Sequence, residues 1–412
     1  MNKQSALRAL ILTALIGALV SGCSLFGEGP KWGAKRDAEK NAVPAVPTVP
    51  EPTATHRFEI TPATDIVGVV QKTIATKDDT LTDIARRFNV GYEEIVRANP
   101  GVDAWLPGEN REIVIPSQFI LPNAPREGIV INAAAMRLFY YPKVKKGEPQ
   151  VVHTYPIGIG KVGWATPEGA TKIVRRTKDP IWRPTPSIIK EHREERGEEL
   201  DKVIPAGPDN PLGRFAFYLG WPSYMIHGTN KPAGVGLRSS HGCIRLYPED
   251  IAQLFEQAPI GTTVRVVNQP VLFGLKDGVL NIQAFDVLED DPRDWKKAQA
   301  KLLNKALADR VQKELAARGD KIDWKAVAEL LHDPRGVPVP VAGGEESLLK
   351  LVADATVVQN KVAPGATWDG VSDLPVDEAT FQELVSDRES SVESAAAAAA
   401  PAPAPPPKPV SN

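Results

Sequence analysis

The spacing of apolar residues changes along the chain, and each change predicts a different kind of element. Between residues 126 and 268 apolar residues fall in short runs broken by Gly, Pro and polar clusters, the pattern of short strands. Ile129-Val130-Ile131 and Met136 to Tyr141 read as a hairpin around Asn132 to Ala135. Val151–Tyr155, Lys172–Arg176, Phe215–Leu219, Tyr224–Ile226 and Thr263–Val267 read as further strands. One helix is expected here. Pro248 suits its first turn, Glu249 and Asp250 favour its N-terminal dipole, and Ile251, Leu254 and Phe255 share an inward face. Many short strands with one helix predict a mainly β domain, a sandwich or barrel-like fold.

Residues 72–117 carry a different rhythm, that of a small α+β module. Thr73 to Thr76 is a short strand candidate, and Asp78-Asp79-Thr80 supplies N-cap chemistry for a helix whose apolar face is Leu81, Ile84, Ala85 and Phe88. A second helix runs through Ile95, Val96 and Asn99, stops at Pro100-Gly101, and is followed by the strand Ile113-Val114-Ile115. Residues 290–333 show helical spacing (Trp295, Leu302, Ala306, Val311, Leu315), with a second short helix starting near Asp323. Residues 337–412 read as irregular and mostly disordered, ending in an Ala/Pro tail.

The first 22 residues read as an export signal. Lys3 and Arg8 form a positive n-region, and Ala9 to Val20 is an apolar run too short to span a bilayer as a helix. Leu19-Val20-Ser21-Gly22-Cys23 resembles a bacterial lipobox, which implies lipidation at Cys23 and a membrane anchor. Ser24 in the next position weakly favours the outer membrane. Residues 23–60 are the linker after Cys23, Pro- and Ala-rich from about 27 to 55; at ~3.1 Å per residue that stretch would reach roughly 90 Å.

Charge and cysteine count narrow the function. A formal net charge of −2 argues against nucleic acid as the partner. With two cysteines and Cys23 used by lipid, Cys243 has no disulfide partner. An unperturbed thiol is mostly protonated at neutral pH and needs a base or a cation to become a nucleophile. Two histidines flank it: His227, at the end of a predicted strand, and His241, two residues before it in Ser240-His241-Gly242-Cys243-Ile244-Arg245. Acyl transfer needs a thiolate, a base and N–H donors for the oxyanion. Gly242 permits close backbone approach, so the amides of Gly242 and Cys243 are candidate donors. Arg238 and Arg245 are candidate clamps for substrate carboxylates. The Gly228–Gly242 loop, with Gly234 and Gly236, is a candidate cap that folds back or moves as a lid. Zinc ligation by His227, His241 and Cys243 is the competing reading, but no fourth ligand or supporting carboxylate stands out nearby, so neither metal nor cofactor is expected. A buried structural cysteine is the other alternative. A papain-like hydrolase would place its Cys well before its His, the reverse of the order here.

The two modules resemble known families. Asp79-Thr80-Leu81 and Asn99-Pro100 at their spacing are similar to the LysM module, a glycan-chain binder, with Asp78 where LysM usually has Gly; the alternative is a packing subdomain with no sugar affinity. His227-Gly228 followed by Ser240 to Arg245 resembles the signature of the YkuD-type L,D-transpeptidases. Gly128 to Asn132, Met136-Arg137-Leu138, Pro156 to Gly160, Thr166-Pro167 and Pro205 to Pro211 extend the likeness to their Gram-negative periplasmic ErfK/YbiS/YcfS/YnhG branch. The resemblance implies that Cys243 attacks the L-centre carbonyl of meso-diaminopimelate in a peptidoglycan tetrapeptide stem and releases D-alanine. His227 would be base and acid, with Ser240, His241 and Gly242 orienting the site and Gly228, Gly236, Arg238 and Arg245 facing substrate. The thioester would pass to a diaminopimelate amine, to a lysine of an outer-membrane lipoprotein, or to water. A non-catalytic peptidoglycan-binding lipoprotein is the rival from another class.

Overall fold

The computed structural model describes residues 56–197, 199–294, 316, 319–342 and 347–361. The export signal, Cys23, most of the linker, the helix expected over Trp295–Leu315 and the Ala/Pro tail lie outside the described residues.

In chain order the elements begin with strands β1 (Arg57–Ile60), β2 (Ile66–Gly68) and β3 (Gln71–Ile74) and helices α1 (Leu81–Arg87) and α2 (Tyr92–Ala98). Strands β4 (Glu112–Ile115), β5 (Gln118–Ile120), β6 (Gly128–Asn132), β7 (Arg137–Tyr141), β8 (Gln150–Pro156), β9 (Ile159–Gly160) and β10 (Gly169–Lys178) follow. After helix α3 (Pro186–Arg196) come β11 (Phe215–Leu219), β12 (Met225–His227), β13 (Arg238–Ser240), β14 (Ile244–Arg245), helix α4 (Pro248–Gln257) and β15 (Thr263–Val267). The described chain closes with β16 (Val271–Lys276), β17 (Val279–Ala284), helix α5 (Trp324–His332), β18 (Val339–Ala342), helix α6 (Leu348–Ala353) and β19 (Thr356–Val357).

The expected catalytic domain is mainly β. Its nine-stranded mixed sheet runs β1-β8-β7-β6-β15-β10-β11-β12-β14, with β6–β15 and β12–β14 parallel. The sheet is buried on both faces through strict alternation along its central strands. Ile129, Ile131, Leu138 and Tyr140 enter one core, which α4 closes with Ile251, Leu254 and Phe255. Val130, Phe139, Tyr141 and Val152 enter the opposite core, covered by Val67, Phe119 and Leu121 from β2, β5 and the residue after β5. This two-sided burial explains why β6 and β7 are nearly continuous apolar runs.

Three expectations need correction. Residues 57–60 belong to the catalytic sheet, not to the linker: β1 pairs antiparallel with β8, and Ile60 is buried against Val152 and its neighbours. A second helix, α3, lies inside the catalytic domain. Thr185 caps it by accepting from the Ile188 amide, Pro186 stands in its first turn, and Gly197 ends it in the left-handed region at φ 70°. Strands precede the expected helical extension of 290–333, and ordered elements stand among the described residues of 337–361, where an irregular tail was expected. β16, β17 and β18 form an antiparallel sheet, and α5, capped by Asp323, lays Val327 and Leu330 on it. Asp277 and Gly278 both have positive φ (51° and 77°), as the tight turn joining β16 to β17 requires. The described chain then returns to the small α+β module, where β19 pairs parallel with β3.

That module has the expected β-α-α-β order, β3-α1-α2-β4, around Leu81, Ile84, Ile95, Ile113 and Ile115. Thr80 caps α1 by accepting from the Asp83 amide, and the Asp83 carboxylate accepts from the Thr80 amide in return. Asp79 instead lies buried against Arg87. The Asn360 amide donates to Asp79 and to the Ile74 carbonyl, so the returning segment clips the module's first loop.

The module is welded to the catalytic domain by buried polar contacts. Arg137 on β7 is 1% exposed and makes a two-bond pair with Glu94 of α2 at 2.6 and 2.8 Å, with its guanidinium 4.0 Å from the centre of the Phe119 ring. Arg86 of α1 forks onto Glu249 of α4 at 3.0 and 3.1 Å. The Tyr247 hydroxyl donates to the Val90 carbonyl at 3.1 Å. Removing one member of such a pair leaves a buried charge uncompensated. Arg137→Met is therefore expected to cost roughly 3–5 kcal/mol. Urea unfolding of the two proteins measures this, and a loss under about 1 kcal/mol would show that Glu94 finds another partner or water.

Candidate active site

Strands β12 and β14 bring the candidate chemistry together. They run parallel, with Ile226 opposite Ile244 and His227 opposite Arg245. Ile226 and Ile244 are fully buried and point into the core. Side chains alternate along a strand, so Met225, His227 and Arg245 point the other way, and Cys243, one residue before β14, joins that face. The core-facing isoleucines thus lock the register that places the imidazole, the thiol and the guanidinium together.

His227 is buried, and its Nδ1 lies 2.6 Å from the Gly228 carbonyl. A carbonyl only accepts, so Nδ1 carries the proton and Nε2 is left with its lone pair, the tautomer a general base needs. Burial, reinforced by the Arg245 charge, pushes His227 down to about 3. Burial likewise raises the Cys243 thiol, opposed by the Met225 amide and Arg245. Burial thus favours the neutral thiol and the neutral imidazole over an ion pair. Cys243 is half-buried, with Sγ 3.6 Å from the Ser223 carbonyl. Ser223 adopts a left-handed φ of 68° in the turn between β11 and β12.

The Ser240–Cys243 turn is braced from both ends. The Ser240 hydroxyl donates to the Cys243 carbonyl at 2.6 Å, and the Lys161 amide donates to the Ser240 carbonyl at 2.8 Å. Gly242 sits at φ 94°, and a Cβ there would lie 2.8 Å from the Tyr224 ring. The Gly242 carbonyl accepts from Thr166 at 3.0 Å. Among the described residues the amides of Gly242 and Cys243 donate to no backbone or side-chain acceptor. They are thus available to an oxyanion formed at the thiol.

The other candidates divide. Arg245 donates to Ser239 at 3.1 Å, while its buried Nε meets no partner among the described residues. A cation so placed retains capacity for an acidic group. Arg238 departs from the expectation of an open clamp: its fork is taken by Glu289 at 2.8 Å and Asp290 at 2.6 Å, both from the segment after β17. Gly228 serves His227 through its carbonyl rather than facing open space; a Cβ on it would lie 2.9 Å from Ile251. The Gly228–Gly242 loop folds back and is tied to the small α+β module. Val235 is fully buried, and the carbonyls of Val235 and Gly236 accept from the first-turn amides of α2, Tyr92 and Glu93, at 3.2 Å each. Among the described residues no cluster of His, Cys, Asp and Glu is arranged to hold a metal ion.

Several residues at the site were not singled out by spacing. His241 Nε2 meets Glu191 of α3 at 3.0 Å, Lys161 pairs with the same carboxylate, and the Trp164 ring stands edge-on to His241 at 4.9 Å. Thr166 was part of the recognised pattern without a role. Glu191 lies 50 positions from His241, and only the cap signals of α3 would have flagged its helix.

The buried histidines make stability depend on pH. His227 and His153, the latter lowered to about 4 by burial, both stay neutral in the fold well below the pH at which they protonate in the unfolded chain. The unfolded chain therefore binds more protons below about pH 6.5, and stability falls as pH drops from there toward about 4. Urea midpoints at pH 7.5 and 4.5 should differ by a few kcal/mol of stability; equal midpoints would mean that the histidines are solvated.

An oriented imidazole, a thiol on the same sheet face, a cation and free amides are the groups that cysteine acyl transfer needs. A family model described as the L,D-transpeptidase catalytic domain, YkuD, matches residues 126–266, and one described as the LysM domain matches 74–104. The chain is 39% identical over 270 residues to the probable L,D-transpeptidase ErfK/SrfK of Salmonella typhimurium, covering 65% of this chain and 84% of that one. It is 49% identical over 188 residues to the probable L,D-transpeptidase YbiS of Escherichia coli, covering 45% of this chain and 60% of that one. Against the probable L,D-transpeptidase YcfS of Escherichia coli it is 45% identical over 195 residues, covering 46% and 59%. The chain belongs to the YkuD L,D-transpeptidase family and is an enzyme directed at peptidoglycan outside the cytoplasm. Among the described residues no helix is long and apolar enough to cross a membrane.

Proposed function

We propose that Cys243 is the acylated nucleophile and that His227 is its base. The observation that carries this reading is the 2.6 Å bond from His227 Nδ1 to the Gly228 carbonyl, which leaves Nε2 basic on the face that Cys243 shares. A neutral thiol cannot attack an amide carbonyl unaided, so deprotonation by Nε2 accompanies attack. The donor is the tetrapeptide stem, cleaved at the L-centre carbonyl of meso-diaminopimelate. The Gly242 and Cys243 amides take the developing oxyanion, and Arg245 takes a substrate carboxylate. His227 returns its proton to the departing D-alanine amine, leaving a thioester. An amine then resolves it, either a diaminopimelate amine to give a 3→3 cross-link or a lysine of an outer-membrane lipoprotein to tether membrane to wall.

The LysM module is proposed to hold glycan chains near this site, and lipidation of Cys23 to anchor the enzyme at the outer membrane. Muropeptide mass spectrometry of cells carrying wild-type or Cys243→Ala protein tests the reading. We expect 3→3 dimers or lipoprotein-linked stems only with wild type. Shortened stems instead would show that water is the acceptor. Identical muropeptides in both cells would contradict the enzyme reading and favour a wall-binding lipoprotein.

A further inference from the structure

The second histidine of the site has its own partner. His241 Nε2 is 3.0 Å from Glu191 Oε2. The other oxygen of that carboxylate pairs with Lys161, whose amide braces the Ser240 carbonyl. Lys161 and His241 hold the Glu191 carboxyl below the usual carboxylate range, so it is ionised and accepts. In the neutral ring Nε2 is then the nitrogen that carries the proton, and Nδ1 holds the lone pair. The two histidines also differ in their access to water. His227 is 4% exposed, whereas the His241 side chain is 30% exposed.

Glu191 reaches the site on α3. No described side chain of α3 is fully buried, so apolar packing gives the helix little reason to lie there. It meets the site through the Glu191 carboxylate, shared between His241 and Lys161.

Acyl transfer to an amine poses two proton problems. The thiol must lose a proton for the first step. The acceptor, a primary amine on a flexible side chain, arrives as an ammonium and must lose one before the second. The ammonium sheds two protons in all, and His227 can relay only one of them to the departing sulfur, so the other needs a second receiver. The His241 imidazole, backed by a carboxylate and with its side chain 30% exposed, is placed to take that proton and pass it to water.

We propose that Glu191 and His241 form a second, separate base that deprotonates the acceptor ammonium, with Glu191 as the positioning residue. The inference rests on the transpeptidase reading above. In this step the ammonium gives one proton to His241 Nδ1. The freed nitrogen pair attacks the thioester carbonyl, the C–N bond forms and the C–S bond breaks. The departing electron pair goes to Cys243 Sγ, and the second amine proton reaches that sulfur through His227. His241 then releases its proton to water, so the net products are amide, thiol and one proton.

The test compares two acceptors on the full-length protein. Wild type, Glu191→Gln and Glu191→Asp are each acylated with a tetrapeptide stem, and thioester formation is followed by intact mass. Transfer is then measured to a diaminopimelate-containing peptide and to hydroxylamine, whose nitrogen is unprotonated at neutral pH. We expect Glu191→Gln to slow transfer to the peptide amine by about tenfold or more while transfer to hydroxylamine falls by no more than about twofold, with Glu191→Asp in between. Equal loss with both acceptors, or no loss with either, overturns the proposal, because a merely structural carboxylate does not discriminate by acceptor protonation. A wild-type protein that forms no thioester at all overturns the transpeptidase reading and this inference with it.

Discussion

Replacing His227 by glutamine is expected to slow acylation of Cys243 by about 10²–10⁴-fold, the range for loss of a positioned general base. Glutamine has nearly the reach of histidine and can still donate to the Gly228 carbonyl, but it cannot take a proton. The loss should be large because the thiol is raised by burial and starts protonated. A second consequence separates this variant from a folding defect. His227 stays neutral in the fold well below neutral pH, which costs stability in acid, so His227→Gln should be less destabilised between pH 6.5 and about 4 than wild type. Single-turnover acylation and acid unfolding measure the two effects. Acylation within about threefold of wild type would remove His227 from the mechanism.

Gly236→Ala should disconnect the LysM module from the catalytic loop. Gly236 sits at φ 83°, where a side chain is strained, and a Cβ there would fall 2.2 Å from the Tyr92 nitrogen and 2.5 Å from the Gly91 Cα. Both contacts are backbone, so no rotamer change relieves them. The amides of Tyr92 and Glu93 would lose the Val235 and Gly236 carbonyls, exposing the first turn of α2. We expect a loss above ~2 kcal/mol, since left-handed strain and the clash add. Acylation should fall as well, because the loop that moves joins His227 to Cys243. Urea unfolding and the acylation rate check this. Unchanged values for both would show that the module and the loop are separable.

How much of this was legible in the sequence depends on range. The strands of the catalytic domain and helix α4 follow local alternation and capping, and the two-sided burial of β6 and β7 is written in Ile129-Val130-Ile131 and Leu138 to Tyr141. The LysM module was readable from Thr80, Asn99 and the apolar positions between them. Two local signals were there to be read. Asp277-Gly278 between apolar runs marks the β16–β17 hairpin, and Thr185-Pro186 with Gly197 marks α3. What no local pattern carries is pairing at a distance. Nothing near Arg238 announces Glu289 and Asp290, and nothing near His241 announces Glu191. β1 escaped notice because its four residues sit beside a Pro-rich stretch and gain strand character only by pairing with β8. The loop between His227 and Cys243 looked free because glycines permit motion; the backbone of α2 supplies the restraint.

The proposed mechanism requires a covalent bond at Cys243. Intact-mass spectrometry of full-length protein incubated with a tetrapeptide stem, or with a carbapenem as a slow-leaving acyl donor, reads that bond directly. Wild type is predicted to gain one acyl group, and Cys243→Ala none while keeping its unfolding midpoint. An adduct that persists in Cys243→Ala, or no adduct on a folded wild-type protein, would contradict it.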